Sequence, residues 1–438
     1  MIDAPCGAGK TEYIIRKLNA QCDRPFLYIS PLRKMFERIE GIGEYEGRGV
    51  DRNVFTPTVE GYNRTKLQSI KEMVSVGVDI MSTHSLFLRL DSETIDMFKR
   101  YDYELIIDEA LDVVSVLSKN AKNDEDDFCF QELKRRVGVG DLETLLEWGC
   151  VEIDTQNYNR VVWIKAPNEH DHRYKDVERM IRTGTISYIN GSFLVWSFPI
   201  SALNDFENIT ILTYRFNSSI LKAYLDFYEK EYTHKTVIRH GNELCLDNFS
   251  PELEKGPQYA DLINVCRSDK LNAIGKKYGR KFPLSSTWCN NTDKAKKKVL
   301  KDNLINYFRW HCNADSDSVM WTTYKGFSSS IKPNGYIIRK DGKTPTFTPC
   351  NSRATEEYAD RYNLAYLIDR HLNPGVKDFF HQKGIAINED EYALSEFIQW
   401  LFRSRIRFGE KINLYVPSER MRGLLDGWMF LDEDHRKL

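Results

Sequence analysis

Through the first 110 residues, short β-branched and aromatic runs alternate with stretches whose apolar positions recur every three to four residues. The runs predict strands over 26–30, 79–82 and 104–108, each apolar and each ending in polar residues. Strands alternating with helices mark an α/β domain built on a mostly parallel sheet. Ligands collect at the carboxyl ends of such strands, which makes the polar endings candidate site positions.

After Asp108 the regularity changes. Residues 119–127 are polar, acidic and without period, the pattern of a surface loop. Residues 160–165 alternate weakly, and 186–196 place Asn190 and Gly191 between two strand-like runs, a hairpin signal because that pair tolerates positive φ. The α/β pattern resumes with a strand over 209–214 and an amphipathic helix over 218–232. No pattern is legible over 233–290. A basic helix over 294–310, a strand over 318–324, a run at 344–349, a helix over 394–407 and a strand over 412–417 then suggest a second α/β unit. The expected plan is a first domain over 1–235, carrying an insert at about 112–200, and a second domain over 236–438.

Composition narrows the class. The chain has 438 residues, 41% hydrophobic and 29% charged, which gives a sizeable core and excludes intrinsic disorder for most of it. Lys and Arg total 62 against 64 Asp and Glu, a net charge of −2, so a whole-surface basic field is absent although a local groove can still be basic. Nine cysteines (Cys6, Cys22, Cys129, Cys150, Cys245, Cys266, Cys289, Cys312, Cys350) never fall in a C-x-x-C spacing and read as reduced thiols. His311, Cys312 and Cys289 are the nearest approach to metal spacing and read as packing. The longest apolar stretch, 193–200, is far short of the ~20 residues a membrane span needs, and no signal peptide opens the chain. A cytoplasmic protein is expected.

The sharpest chemical signal is A-P-C-G-A-G-K-T at residues 4–11, opening a helix with an apolar stripe of Ile14, Ile15 and Leu18. The loop of Pro5, Cys6, Gly7, Ala8 and Gly9, through its backbone N–H groups, and the helix N-terminus through Glu12 would face an anion. Gly7 and Gly9 allow close approach, Lys10 would reach β and γ phosphates, and the Thr11 hydroxyl would ligate Mg²⁺. Only Met1 to Asp3 precede the loop, so its strand is very short or the native chain begins upstream. Asp108 and Glu109 end an apolar strand about 100 residues on. Alone, such a pair is more often a helix N-terminal turn; with the loop, Asp108 would hold Mg²⁺ and Glu109 would polarise the attacking water.

These motifs resemble those of superfamily 2 helicases and translocases of the DEAD-like kind. Residues 4–11 are similar to that superfamily's motif I, where an initial Ala is usual, and Asp108-Glu109-Ala110 to motif II. S-P-L-R at 30–33 is similar to motif Ia, Thr83 and His84 sit at a nearby strand end, and 212–214 stand in the place of motif III. The gap before motif III, about a hundred residues, is explained by the insert. Residues 321–325, 350–355 and 399–407 resemble motifs IV, V and VI. Motif VI departs from the family in Phe402, Arg405 and Ile406. The ending of the chain is similar to helicase-like proteins that phages carry.

The resemblance implies two RecA-like P-loop NTPase domains with parallel sheets and an insertion in the first, ATP with Mg²⁺ between them, and catalysis by Lys10, Asp108, Glu109, Gln399, Arg403 and Arg407. At 100° per residue Gln399, Arg403 and Arg407 share a helix face opposite Leu394, Phe397, Ile398 and Leu401, which would aim them across a cleft at the γ-phosphate, with Arg405 in reserve. An isolated helix of this kind would simply be a solvated basic face. By resemblance, Arg33, Thr83, His84, Thr213, Arg353 and Thr355 line a nucleic-acid track, each singly as good a surface or capping residue. The K-A-K-K-K run at 294–298 beside Trp288 and Trp310 reads first as a solvated helix face. The expected function is an ATP-dependent helicase or translocase in phage DNA replication or recombination. DNA is favoured over RNA, and replication or recombination proteins are further partners; no membrane is involved. The insert is expected to separate strands or dock a partner. The alternative is a phosphate-loop ATPase that remodels or loads a protein without unwinding, and a non-catalytic nucleic-acid binding module is opposed by Lys10, Thr11, Asp108 and Glu109.

Overall fold

The computed structural model describes residues 1–5, 7–21, 23–31, 33–60, 65–117, 137–165, 174–182, 185–254, 256–277, 279, 282–350 and 357–430. The expected loop at 119–127 lies outside them, as do Cys6, Arg353 and Thr355.

Among the described residues, three sheets organise the chain. The first contains β1 (Ile2–Asp3), β2 (Phe26–Ser30), β3 (Val54–Phe55), β4 (Asp79–Thr83) and β5 (Glu104–Asp108). The second contains β6 (Val114–Leu117), β7 (Val151–Asp154), β8 (Arg160–Trp163), β9 (Ile186–Ile189) and β10 (Phe193–Ser197). β11 (Ile209–Thr213), β12 (Lys235–His240) and β13 (Glu243–Asn248) return to the first sheet, whose order is β13-β12-β1-β11-β5-β2-β4-β3. The third is β14 (Ile263–Val265), β15 (Val319–Thr322), β16 (Asn363–Tyr366) and β17 (Ile412–Tyr415), ordered β14-β17-β16-β15 and parallel throughout.

Period-two alternation assigns the two faces of each parallel sheet. In β2, Leu27 and Ile29 join one core while Phe26 and Tyr28 join another, and β5 divides the same way. In β16, Leu364 and Tyr366 face one layer and Ala365 the other. Strands buried on both faces are why these runs read as continuous apolar stretches. Among the described residues no helix is long and apolar enough to cross a membrane.

The insert is the antiparallel sheet β6-β10-β9-β8-β7. Asn190 and Gly191 turn its hairpin with φ of 48° and 63°, as their residue types predict. The hairpin is no free wedge, because Ile189 and Val195 are fully buried and the tip Asn190 donates to Asp378 at 2.9 Å. That partner lies on the helix Pro374–His381, which follows the third sheet's β16 yet packs its Val376, Phe379 and Phe380 into the first lobe's core. Phe227 and Phe379 stack at 4.7 Å, and a Cβ on Gly375 would stand 2.8 Å from Val116 Cγ2, so only glycine permits this approach.

Three expectations about elements are corrected. The hairpin β12–β13 pairs with β1 and extends the first sheet to Asn248, past residue 235. Residues 344–349 form no strand: Phe347 and Pro345 make only isolated bridges, to Trp321 and Ile338. The helix over 394–407 ends at Leu401, and Arg405–Phe408 is a separate 3-10 turn begun by the buried Ser404 hydroxyl.

Candidate nucleotide site

Short as it is, β1 aims the glycine loop. Its residues pair in register with Leu212 and Thr213 of β11, and the Ala4 N–H continues the ladder to the Thr213 carbonyl at 3.2 Å. The chain then turns, with Ala8 N–H on the Pro5 carbonyl at 3.2 Å, and enters the helix Lys10–Ala20. Gly7 and Gly9 have φ of 85° and 96°, where a side chain would be strained. A Cβ on Gly9 would also crowd Leu244 of β13 at 3.2 Å. Both glycines are thus required by the backbone as well as by any anion it meets.

The loop opens on a cavity of about 2010 Å³ between the lobes. Gly7, Gly9, Lys10, Thr11, Asp108 and Glu109 line one wall; Gln399, Arg403 and Arg407 line the other. The Lys10 ammonium is folded back onto the loop's own carbonyls, Ala4 and Pro5 (3.1 Å to the latter). An incoming phosphate would compete for those donors.

Asp108, at the end of β5, is buried, and burial pushes its carboxyl above the ordinary range against the opposing pull of the Tyr28 hydroxyl and the charges of Lys10 and Arg38. Tyr28 donates to Asp108 Oδ2 at 2.6 Å, and burial beside that carboxylate raises the phenol itself well above its usual value. Glu109 follows in the left-handed region with φ 65°, a conformation that non-glycine residues adopt at a cost and that recurs at functional sites. A buried carboxylate and a hydroxyl on one wall are hard oxygen donors. They suit Mg²⁺, which takes one or two protein oxygens together with substrate phosphates.

On the opposite wall, Arg403 donates to the Pro349 carbonyl at 3.2 Å and Gln399 to the Ser395 hydroxyl at 3.1 Å. The Arg407 carbonyl is 3.9 Å from where a Gly7 Cβ would lie. The three do not share one helix face. The break at 401 separates them, and it is the following turn that brings Arg407 to the loop. Arg405 lies elsewhere, on the Lys411 carbonyl at 2.6 Å and 4.0 Å from the Tyr362 ring centroid.

Other expected residues are placed differently. Glu12 is outside the cavity lining and pairs with Arg16 and Arg239, both at 2.7 Å. His84 is buried with Nε2 on the Asp108 carbonyl at 2.8 Å, so it braces the acidic strand end and leaves little surface for a track. Thr213 is buried beside the loop and lines the cavity. Thr83 caps the short helix His84–Phe87 through its hydroxyl, and Arg33 is exposed. The basic helix keeps Lys294, Lys296 and Lys298 exposed, as a solvated face should, and Lys296 also lines the cavity with Trp288 and Asn303. Sequence reading missed Tyr28 and Arg38: only the pairing of β2 with β5 brings the phenol to Asp108. A phenol in mid-strand between apolar neighbours was the available signal.

A parallel-sheet lobe carrying a glycine loop and a strand-end acid pair, set against a second parallel-sheet lobe across a cleft, is the two-domain RecA-like α/β fold. A solved structure named XPD helicase has that fold and aligns at a TM-score of 0.50, with 12% identity, over 97% of this chain and 94% of its own. The chain is 32% identical over 437 residues to the SPbeta prophage-derived uncharacterized protein YonV of Bacillus subtilis (strain 168), covering 98% of each. Residues 257–429 match the family described as the YonV C-terminal Rossmann-like domain. The chain belongs to the YonV family.

Proposed function

We propose that this protein is an ATP-dependent motor on nucleic acid, a helicase or translocase, serving prophage DNA replication or recombination. The observation that carries the reading is the meeting of Lys10, Thr11, Asp108 and Glu109 with Gln399, Arg403 and Arg407 around one interlobe cavity. In it, backbone N–H groups of the loop and Lys10 hold the phosphates, while Thr11 and Asp108 would hold Mg²⁺, which would supply neutralisation of phosphate charge. Glu109 orients and polarises the attacking water. Arg403 and Arg407 stabilise charge that develops in the transition state, and Gln399 positions the terminal phosphate. The first motor domain runs through β13 and the second from about residue 257, with Arg33 and Thr83 on the nucleic-acid side. The prophage source of the relative supports a phage setting.

The test is ATP hydrolysis with single-stranded DNA, duplex DNA and RNA in parallel. Stimulation by DNA is expected. Turnover indifferent to every polymer but raised by a protein partner would replace this reading with a remodelling ATPase.

A further inference from the structure

Arg215 is an unusual residue to find where it is. It follows β11, its φ is 57°, and its side chain is almost wholly buried. Local strain of this kind persists only where the surroundings over-determine it. Here they do. The Arg215 N–H donates to Asp3 Oδ1 and the Phe216 N–H to Asp3 Oδ2, both at 2.8 Å, and Asp3 is the last residue of β1 before the glycine loop. In the other direction, Nη1 donates to the Glu254 carbonyl at 2.8 Å, in the segment joining the lobes, and Nη2 pairs with Glu391. Glu391 sits in the first turn of the helix Glu389–Leu401, whose last turns carry Gln399 and lead into Arg403.

The neighbours of Arg215 make the same crossing. The Thr213 carbonyl takes the Ala4 N–H, while Tyr214 belongs to the second lobe's core, 6.3 Å from the ring of Phe402, the residue immediately before Arg403. Thr213, Tyr214 and Arg215 therefore hold the glycine loop at one end and the arginine segment at the other. A forked, planar guanidinium donates in two directions at once, which a lysine ammonium on a flexible stem does not reproduce.

We propose that Arg215, with Glu391 as its partner, is a positioning residue that sets Arg403 and Arg407 against the glycine loop. This rests on the ATPase reading above. Arg215 lies outside the cavity lining and acts only through the segment it holds.

The experiment compares Arg215→Lys, Glu391→Ala and the double variant with the wild-type chain. It measures kcat, the Kd of a fluorescent ATP analogue, and amide hydrogen exchange over residues 399–409. A positioning role predicts kcat down by about ten-fold or more in each single variant, Kd within about two-fold of wild type, faster exchange over 399–409, and a double variant no worse than the poorer single one. Unchanged kcat and exchange in folded variants, or losses that multiply in the double variant, would overturn it. Glu391 is about half exposed, so Glu391→Ala carries the test if Arg215→Lys does not fold. A wild-type chain without Lys10-dependent hydrolysis would overturn the ATPase reading alone, because the exchange measurement still decides whether Arg215 holds the segment.

Discussion

At the scale of single residues, the site is set by what surrounds Asp108. Its carboxylate is buried, takes the Tyr28 hydroxyl at 2.6 Å, and has the main chain behind it fixed by His84 at 2.8 Å. The carboxyl's pKa is raised by burial, and the phenol opposes that rise. Tyr28→Phe is therefore expected to cost about 1.5–3 kcal/mol where the carboxyl is ionised, the worth of a hydrogen bond to a charged group. The cost should shrink as pH falls and the carboxyl takes up its proton, because the charge-assisted part of the bond is then gone. Urea unfolding across a pH series checks this, and a loss that does not shrink toward acid pH would contradict it. The glycines, Lys10, Thr11, Asp108 and Glu109 were legible because their chemistry depends on neighbours in the chain. Tyr28 and Arg38 were not, since they reach the acid only through the pairing of β2 with β5 and the packing of the helix Phe36–Glu40. His84 was misplaced for the same reason: a strand-end histidine reads as a contact residue until its ring is seen against the neighbouring strand.

At the scale of elements, strands β2, β4, β5 and β11 were legible because burial on both faces writes short apolar and β-branched runs. The two-residue β1 and the edge hairpin β12–β13 carry no such signal. The arginine segment is instructive. Its apolar spacing continues past Leu401, but the Ser404 side chain caps a new turn, so periodicity carries the reading over a real break. That break delivers Arg407 to the glycine loop. Arg407→Ala is expected to lower kcat by about 10³-fold or more with ATP affinity retained, the usual worth of an arginine finger. A loss confined to ATP affinity would assign Arg407 to binding. The insert's contact with the helix Pro374–His381 gives a second expectation. Gly375→Val forces atoms toward Val116 and Phe193, already within 3 Å of a Cβ, and should cost about 1–3 kcal/mol in denaturant unfolding. An unchanged midpoint would mean that helix and insert separate freely.

At the scale of the whole molecule, the lobes are joined by the Arg215 network, by the insert's hold on the helix Pro374–His381, and by the connector at Glu254, whose carbonyl also takes the Trp428 indole N–H at 2.7 Å. Burial pushes the Glu254 carboxyl up to about 7 from an ordinary 4.5; nearby Arg215 pulls it down, and Asp3 and Glu391 push it up. The folded chain thus holds a proton that the unfolded chain releases, and this contribution to stability is lost as pH rises from about 4.5 through about 7. Glu254→Gln has no such proton to lose, so the fall in Tm between pH 5 and 8 should shrink in that variant; an undiminished fall would contradict the assignment. None of this interlobe wiring is visible in the sequence, because its partners lie 39 to 188 residues apart.

On the function proposed above, one interlobe site hydrolyses ATP with groups from both walls. The most direct test is steady-state ATP turnover in the presence of single-stranded DNA by the wild-type chain, Lys10→Ala and Arg403→Ala. Mg²⁺-dependent turnover by the wild type is expected, with near-complete loss in both variants, one altered on each side of the cleft. Turnover that survives either substitution undiminished would contradict it.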